Sequence, residues 1–278
     1  MSSGLDLPGQ LNYFPGMPGE LFWSLLRHRH AVICSALAAV IVASWAYLSL
    51  GAGIEMEMRD IGGGHMMAMP REWSLPYAVL IFVMWAVMMA AMMLPGAAPT
   101  VLLVAVLAPD RLASSTRIPA TAMLFASGYL LAWGGFSLAA MFLQWHLDAA
   151  GLLSETMALG NAILASAVLI AAGVYQWTPL KDACLRHCRS PANFLLRHRC
   201  PGTLGAVSMG TRHGLFWLGC CWMLMALLFV GGLMNLAWIG AIAALVLLEK
   251  TIPWGGQMSR LVGALLVAWG VAGLLRMI

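Results

Sequence analysis

Long apolar segments recur along this chain, and they constrain its fold more than any other feature. A helix needs about 20 apolar residues to cross the hydrocarbon core of a bilayer, and seven segments meet or approach that length. In residue numbers they are 31–50, 77–107, 120–145, 158–177, 213–230, 233–248 and 261–278. Hydrophobic residues make up 62% of the 278 residues and charged residues only 9%, which no soluble domain of this size shows. The sequence therefore predicts an all-α fold, a polytopic transmembrane helix bundle with about seven spans.

The basic residues predict how this bundle is oriented. With the N-terminus in the cytoplasm, twelve Lys and Arg residues fall in internal segments, while Arg59, Arg71 and Arg276 fall outside. Because cytoplasmic loops carry the excess of positive charge, we expect the N-terminus inside and the C-terminus outside. The net charge of +4 then reflects orientation and contact with anionic lipid, and nucleic acid is not an expected partner. No basic n-region precedes the first span, so we expect that span to be retained.

The polar stretches subdivide the chain without marking a second folded domain. We expect residues 1–30 to be an N-terminal cytoplasmic segment and residues 31–278 to be a single transmembrane domain. Within that domain, residues 51–76 form a methionine-rich external loop and residues 178–212 form a basic cytoplasmic segment.

The second apolar segment contains an unusual run of methionines, which reads MWAVMMAAMM from Met84 to Met93. Thioether sulfur is an uncharged soft ligand that can hold Cu(I) or Ag(I) inside a bilayer. At about 100° per residue, Met84, Met88 and Met92 form one stripe of a helix, and Met89 and Met93 lie on the next. Methionine is also a flexible filler of apolar cores. The run therefore leaves two interpretations open, a set of metal ligands or a packing surface.

The predicted external loop gathers a second set of soft donors, namely His65, Met66, Met67 and Met69. Apolar side chains have no packing reason to gather outside the spans. Thioethers around an imidazole are typical of tracts that catch copper in oxidising compartments, where thiols would be lost. The alternative is a loop at the membrane interface that dips its methionines into the headgroups.

The basic cytoplasmic segment opens with a predicted short helix that carries two cysteines. Thr178 is a good N-cap and Pro179 a good first helical residue, and the helix should end before Pro191. Cys184 and Cys188, at positions i and i+4, then share one face. Such a pair could chelate Cu(I) or supply two of the four ligands of a zinc site. This side of the membrane is reducing, which disfavours a structural disulfide.

The fifth apolar segment adds the adjacent Cys220 and Cys221, with His213 two turns before them on the same face. With a helix that begins at His213, these thiols would lie about one third of the way into the bilayer from the cytoplasmic side. Both ends of the intervening segment return to one membrane surface. We therefore expect Cys220 or Cys221 within about 8 Å of Cys184 or Cys188, close enough to share a soft ion. Cysteine as small apolar filler is the alternative.

Charged residues at the ends of spans are few. Glu249 and Lys250 end the sixth segment, and we expect an interfacial pair that holds this segment against the basic one. The sequence contains no Walker loop, no phosphorylatable Asp-Lys-Thr motif and no nucleophile elbow. We therefore predict no catalytic residues and favour a binding protein over an enzyme.

Three blocks of the sequence resemble a known family. They read MWAVMMAAMMLPGAAP, YQWTPLKDACLRHCRSP, and HGLFWLGCCWMLMALLFVGGLMNLAWI with its closing LLEK. They are similar to the bacterial family of predicted metal-binding integral membrane proteins, a domain-of-unknown-function family, over roughly residues 77–278. The resemblance implies a multi-pass protein of the bacterial inner membrane and a metal site, without implying an activity. The residues that it implies for that site are Met84, Met88, Met89, Met92, Met93, Cys184, Cys188, Cys220 and Cys221.

Three functions from different classes stay open at this point. The first is a membrane protein that binds, transfers or inserts copper through Met and Cys ligands, with the lipid bilayer and a membrane or periplasmic protein as its partners. The second is a non-catalytic subunit or anchor of a larger, copper-dependent membrane enzyme complex. The third is a thiol redox protein, which is disfavoured because no cysteine lies on the outer side to end a transmembrane relay. Copper handling is the prediction, and no energy source for uphill transport is encoded.

Overall fold

The computed structural model describes residues 19–53, 57–60, 66–69, 73–107, 117–154, 156–197 and 202–276. Within these ranges the chain forms ten helices and one short antiparallel hairpin, so the predicted all-α class is confirmed apart from that hairpin. The bounds are α1 Gly19–Ser49, β1 Glu57–Asp60, β2 Met66–Met69, α2 Leu75–Leu107, α3 Arg117–Ala149, α4 Ala162–Tyr175, α5 Pro179–Arg189, α6 Pro191–Arg197, α7 Thr203–Ala226, α8 Leu228–Gly231, α9 Leu236–Thr251 and α10 Gly255–Leu275.

Several of these helices are long and apolar enough to cross a membrane. In the part of the chain that the structure describes there are five such helices, in α1, α2, α3, α7 with α8, and α10. Helices α4 and α5 together would make a sixth span, bent by 63°. Helix α9 has only 16 residues, which is short for a span. The seven spans and their orientation therefore stay predictions, while the long apolar helices are confirmed.

Polar caps set where the shorter helices begin. The side chains of Asn161, Thr178 and Asn235 accept backbone N–H groups in the first turns of α4, α5 and α9. Each cap satisfies a donor that the helix itself cannot pair. The predicted N-cap of α5 is thus confirmed, and α5 ends at Arg189, before Pro191. The predicted span at 158–177 is shorter than expected because Asn161 starts the helix only after a turn.

Glycines allow the central helices to approach closely. A Cβ atom added at Gly210 of α7 would collide with the carbonyl of Phe125 on α3, and one added at Gly128 would collide with the carbonyl of Val207. Small residues at such crossings let two helix backbones pack directly, as is common in membrane bundles. Helices α4 and α10 pack in the same way through Gly173. Helix α7 is therefore packed closely against α3. This contact sets the rotation of α7 about its axis and so the orientation of the side chains on its remaining faces.

Helix α2 is joined to α3 by a buried polar contact in an otherwise apolar core. The indole Nε1 of Trp85 donates a hydrogen bond of 2.7 Å to Oε1 of Gln144. The amide of Gln144 also donates to the sulfur of Met157 at 3.3 Å. These bonds satisfy polar atoms that would be costly to bury alone.

Candidate functional site

Four cysteines converge between α5 and α7. We call Cys184, Cys188, Cys220 and Cys221 the thiol layer; all four side chains are buried. The Sγ atoms of Cys188 and Cys220 lie 3.9 Å apart. The predicted approach of the two cysteine pairs to within about 8 Å is therefore confirmed.

Helix α5 reaches α7 at a glycine. A Cβ atom added at Gly219 would lie 2.7 Å from the Sγ of Cys184, so this thiol rests directly on the α7 backbone. The hydroxyl of Tyr175, at the end of α4, donates to the carbonyl of Gly219. The bend between α4 and α5 thus brings the cysteine-bearing face of α5 against the turn of α7 that carries Cys220.

The start of α7 differs from the prediction. The helix begins at Thr203 and not at His213. The ten intervening residues are mostly small and apolar, and Gly205 and Gly210 are buried, so packing continues the helix past the exposed Arg212. Cys220 therefore lies about 26 Å from the start of the helix. The expected start of this helix at His213 is therefore wrong, and the thiols lie in its C-terminal part. Their depth in a bilayer stays a prediction.

A lysine from α9 completes the thiol layer. The Nζ atom of Lys250 donates to the Sγ of Cys220 at 2.7 Å and lies 3.6 Å from the centroid of the Trp217 ring. The thiols of Cys220 and Cys221 donate to the Trp217 carbonyl at 2.9 and 3.0 Å. The ammonium group thus lies directly beside one sulfur of the Cys188–Cys220 pair.

Sequence reasoning missed this role of Lys250 because it paired the residue with Glu249. Adjacent residues of a helix point about 100° apart and do not face each other, and that geometry is the signal that could have separated them. In the structure Glu249 is 1% exposed and accepts two hydrogen bonds, of 2.9 and 3.0 Å, from Nζ of Lys181. The expected interfacial pair is therefore wrong, whereas the expected attachment of this segment to the basic one is confirmed.

The Lys181–Glu249 ion pair belongs to a buried polar group behind the thiol layer. Lys181 also donates to the side-chain carbonyl of Gln176, which accepts a second hydrogen bond, of 3.1 Å, from Ser259. All four side chains are buried. They tie the end of α4, the start of α5, the end of α9 and the start of α10 together. The orientation of α5, and with it the position of its two cysteines, depends on this group.

His213 lies apart from the thiols, in a box of aromatic rings. The rings of Phe125, Tyr129, Phe194 and Trp217 have their centroids 5.2–5.9 Å from the centroid of its imidazole. Among the described residues neither ring nitrogen has a hydrogen-bond partner. His213 precedes Cys220 by seven residues, or about 10 Å of helix. The imidazole therefore lies two helical turns from Cys220, among aromatic rings.

The methionines of α2 are buried in the core. We call the two predicted stripes together the methionine stripe, which consists of Met84, Met88, Met89, Met92 and Met93. Each of these side chains is at most 3% exposed. The stripe covers about 13 Å of helix. At its far end the Met93 carbonyl accepts a hydrogen bond of 3.3 Å from the Tyr129 hydroxyl, and the Tyr129 ring contacts that of Trp217. The stripe therefore ends close to the layer that holds the cysteines.

The set of donors that was predicted to lie outside the membrane is only partly described. Met66, Met67 and Met69 lie on β2, whose residues pair with those of β1 in antiparallel register. His65 lies outside the described residues. The hairpin precedes α2, and about 27 Å of that helix separates its first residue from Met93.

The donor set of the thiol layer suits a soft ion. In the described part of the chain no three His, Cys, Asp or Glu side chains form a ready-made metal site. Two sulfurs that bind one ion at about 2.3 Å lie about 3.8 Å apart at a tetrahedral angle and about 4.6 Å apart when linear. The 3.9 Å between Cys188 and Cys220 falls within that range. The structure thus offers a thiol pair that one two-coordinate ion could bridge with little movement.

The comparisons with known proteins point to copper. The model of the family PpoB2, described as a copper chaperone, matches residues 82–273. This range contains the methionine stripe, the thiol layer and Lys250. The match supports a copper-related family, in agreement with the predicted copper handling, whereas it gives no support to the expected membrane insertion or to a family of unknown function. No curated protein and no solved structure matches the chain.

Proposed function

This chain belongs to the copper chaperone family PpoB2, and we propose that it is a membrane protein that holds Cu(I) between Cys188 and Cys220 and passes it on. The single observation that carries the choice of ligands is the 3.9 Å between these two sulfurs, which belong to different helices. Five long apolar helices support the membrane setting. Thiolates are soft ligands, and Cu(I) is stable with two of them, whereas most other metals need more.

Binding at this pair exchanges protons for the ion. Each thiol gives up its proton to water as a metal–sulfur bond forms. Two neighbouring sulfurs, those of Cys184 and Cys221, stay as neutral thiols in the same layer. No third donor is in place beside the pair in the described part of the chain. We propose that the side chain of Cys184 or Cys221 turns toward an incoming or leaving ion as a further ligand, so that the ion can change partners without becoming free. A chaperone needs this property, because its cargo must leave as readily as it arrives.

The methionine stripe is proposed as the path to the thiol layer. Thioethers are neutral ligands, so an ion can move among them without a proton leaving at each step. The stripe begins nine residues inside α2 at Met84 and ends at Met93, beside the Tyr129 hydroxyl. We propose that soft donors on the hairpin side, Met66, Met67 and Met69 with His65, catch copper and that the thiols receive it. A membrane or periplasmic protein would then be the donor or the acceptor.

Copper content measured after loading with Cu(I) tests the proposed ligands. The protein is purified in mild detergent under reducing conditions, and a variant with Cys188→Ser and Cys220→Ser is compared with a Cys34→Ser variant. Cys34 is an exposed cysteine of α1 outside the thiol layer, which makes it a matched control. We expect about one copper per chain in the wild type and the control, and at least a tenfold loss of affinity in the double variant.

Two results would count against this function. A double variant that keeps its copper would exclude the thiol pair as the site. A wild-type protein that is well folded yet binds no Cu(I) would favour the alternative class, a non-catalytic subunit or anchor of a larger copper-dependent complex.

A further inference from the structure

We propose that Lys250 makes the Cys188–Cys220 pair selective for a monovalent soft ion, Cu(I), over the divalent Zn(II). The inference rests on the proposed function, since it takes this pair as the ligands. Lys250 itself binds no metal. It acts by placing one fixed positive charge beside the two sulfurs.

The ammonium group of Lys250 is held in place from two sides. Its Nζ atom donates to the Sγ of Cys220 at 2.7 Å and lies over the Trp217 ring, 3.6 Å from the centroid. A cation over an indole face is attracted by the negative face of the ring. Trp217 is itself 2% exposed and fixed within α7. The charge therefore stays beside the sulfur when the thiol proton is replaced by a metal ion.

The other charged side chains near the thiol layer are paired, exposed or hydrogen-bonded elsewhere. Lys181 and Glu249 form a buried ion pair whose net charge is zero. Asp182 pairs loosely with the exposed Arg260, at 3.9 Å. The guanidinium of Arg189 donates to the carbonyls of residues 252 and 253 at the partly exposed end of α9. Among the described residues Lys250 belongs to no ion pair, and its ammonium group donates directly to a sulfur of the thiol pair, so its charge acts on that pair at the shortest distance.

Counting charges then separates the two metals. Two thiolates with Cu(I) carry a net charge of −1, and Lys250 brings the site to zero. Two thiolates with Zn(II) are neutral by themselves, and Lys250 leaves an uncompensated positive charge among buried side chains. A net charge in such surroundings is costly unless it is paired. Lys250 should therefore strengthen the binding of Cu(I) and weaken that of Zn(II).

The ratio of the two affinities tests this role. We would measure the Cu(I) and Zn(II) affinities of detergent-purified full-length protein by competition with a chelator for each ion, under reducing conditions. Lys250→Gln removes the charge without adding a sulfur or a carboxylate, and Lys250→Arg keeps it. Arg260→Gln removes an exposed charge from the same end of the bundle, where solvent screens it.

The expected changes have opposite signs for the two metals. In Lys250→Gln we expect Cu(I) affinity to fall and Zn(II) affinity to rise, each by about tenfold or more, because a unit charge a few ångströms away is removed. In Lys250→Arg and Arg260→Gln the ratio should stay within about threefold of the wild type. Damage to the fold would weaken both metals together, so it cannot produce this pattern.

Other outcomes overturn the inference. If both affinities fall together, Lys250 has only a structural role. If Cu(I) binds more tightly without the lysine, the ammonium competes with the ion. If neither the Cu(I) nor the Zn(II) affinity changes, the charge of Lys250 does not influence binding at the thiol pair. Failure of the proposed function is seen separately, since the variant with Cys188→Ser and Cys220→Ser would then keep its copper whatever Lys250 does.

Discussion

The methionine stripe and the thiol layer are both buried and both rich in soft sulfur, yet they are assembled in different ways. The methionines of the stripe come from consecutive turns of one helix, α2, and lie in its apolar core. The thiol layer takes its cysteines from α5 and α7 and its lysine from α9. It is also supported by a buried ion pair. Spacing along one helix cannot separate ligands from packing residues, whereas polar groups that converge from three elements have no simple packing explanation.

This contrast has an energetic side. An apolar methionine can be replaced by another apolar residue of similar volume at little cost. A buried charge that loses its partner cannot be accommodated in the same way, because desolvation is then uncompensated. We therefore expect changes near the thiol layer to lower the free energy of unfolding much more than changes in the methionine stripe.

The largest effect is expected from Glu249→Gln. It removes the carboxylate that accepts both hydrogen bonds from Lys181, and both side chains are 1% exposed. An uncompensated ammonium would remain in the core, so we expect a loss of about 3–5 kcal/mol in the free energy of unfolding. Thermal unfolding of the detergent-purified protein measures the change.

The matched control for this variant is Asp182→Asn, which breaks the solvent-exposed pair with Arg260 and should cost less than about 1 kcal/mol. Replacing Lys181 and Glu249 together by Met and Leu should cost less than Glu249→Gln alone, since no charge is then left unpaired. Equal losses in Glu249→Gln and Asp182→Asn would show that the buried pair does not stabilise the thiol layer.

An intermediate effect is expected from Gly219→Ala. The new methyl group would meet the Cys184 sulfur at 2.7 Å, so α5 or this side chain must move. Inserting a methyl into a packed contact costs about 1–3 kcal/mol. In the control Gly135→Ala, on α3, the added methyl meets nothing within 4 Å. We expect that control to leave the midpoint of thermal unfolding unchanged or slightly raised, because alanine favours the helix over glycine. A Gly219→Ala variant that behaves in the same way would mean that α5 is held loosely.

Much of the thiol layer could be predicted from local signals in the sequence. Thr178 and Pro179 start α5 as expected, and the spacing of Cys184 and Cys188 then places them on one face. Their approach to α7 was predicted from chain connectivity, but α7 begins ten residues earlier than expected, so α5 meets Cys220 far from the point where the chain enters α7. The local signals were therefore sufficient to place the two cysteines on one face of α5, whereas the point at which α5 meets α7 depends on packing.

The remaining parts depend on contacts between distant residues. Lys181 and Glu249 are 68 positions apart, and Lys250 is 30 positions from Cys220. No local pattern in the sequence predicts contacts between residues that are so far apart in the chain. The early start of α7 was missed because Arg212 looked like the end of a span, whereas glycine packing against α3 carries the helix past it. Tertiary packing thus decides the features that charge and hydropathy alone assign wrongly.

The smallest loss of stability is expected in the methionine stripe itself. Met and Leu have similar volumes, so Met88→Leu and Met92→Leu should each cost less than about 1.5 kcal/mol, although both side chains are buried. Leucine has no sulfur, however, and copper content should fall if the stripe carries copper to the thiols. We expect the decrease to be smaller than in the variant that lacks Cys188 and Cys220, since thiolates bind Cu(I) more tightly than thioethers do. Copper per chain and unfolding midpoints, measured on the same samples, give both quantities. A double methionine variant with full copper and near-native stability would assign the stripe to packing alone and leave the thiol layer as the copper site of this protein.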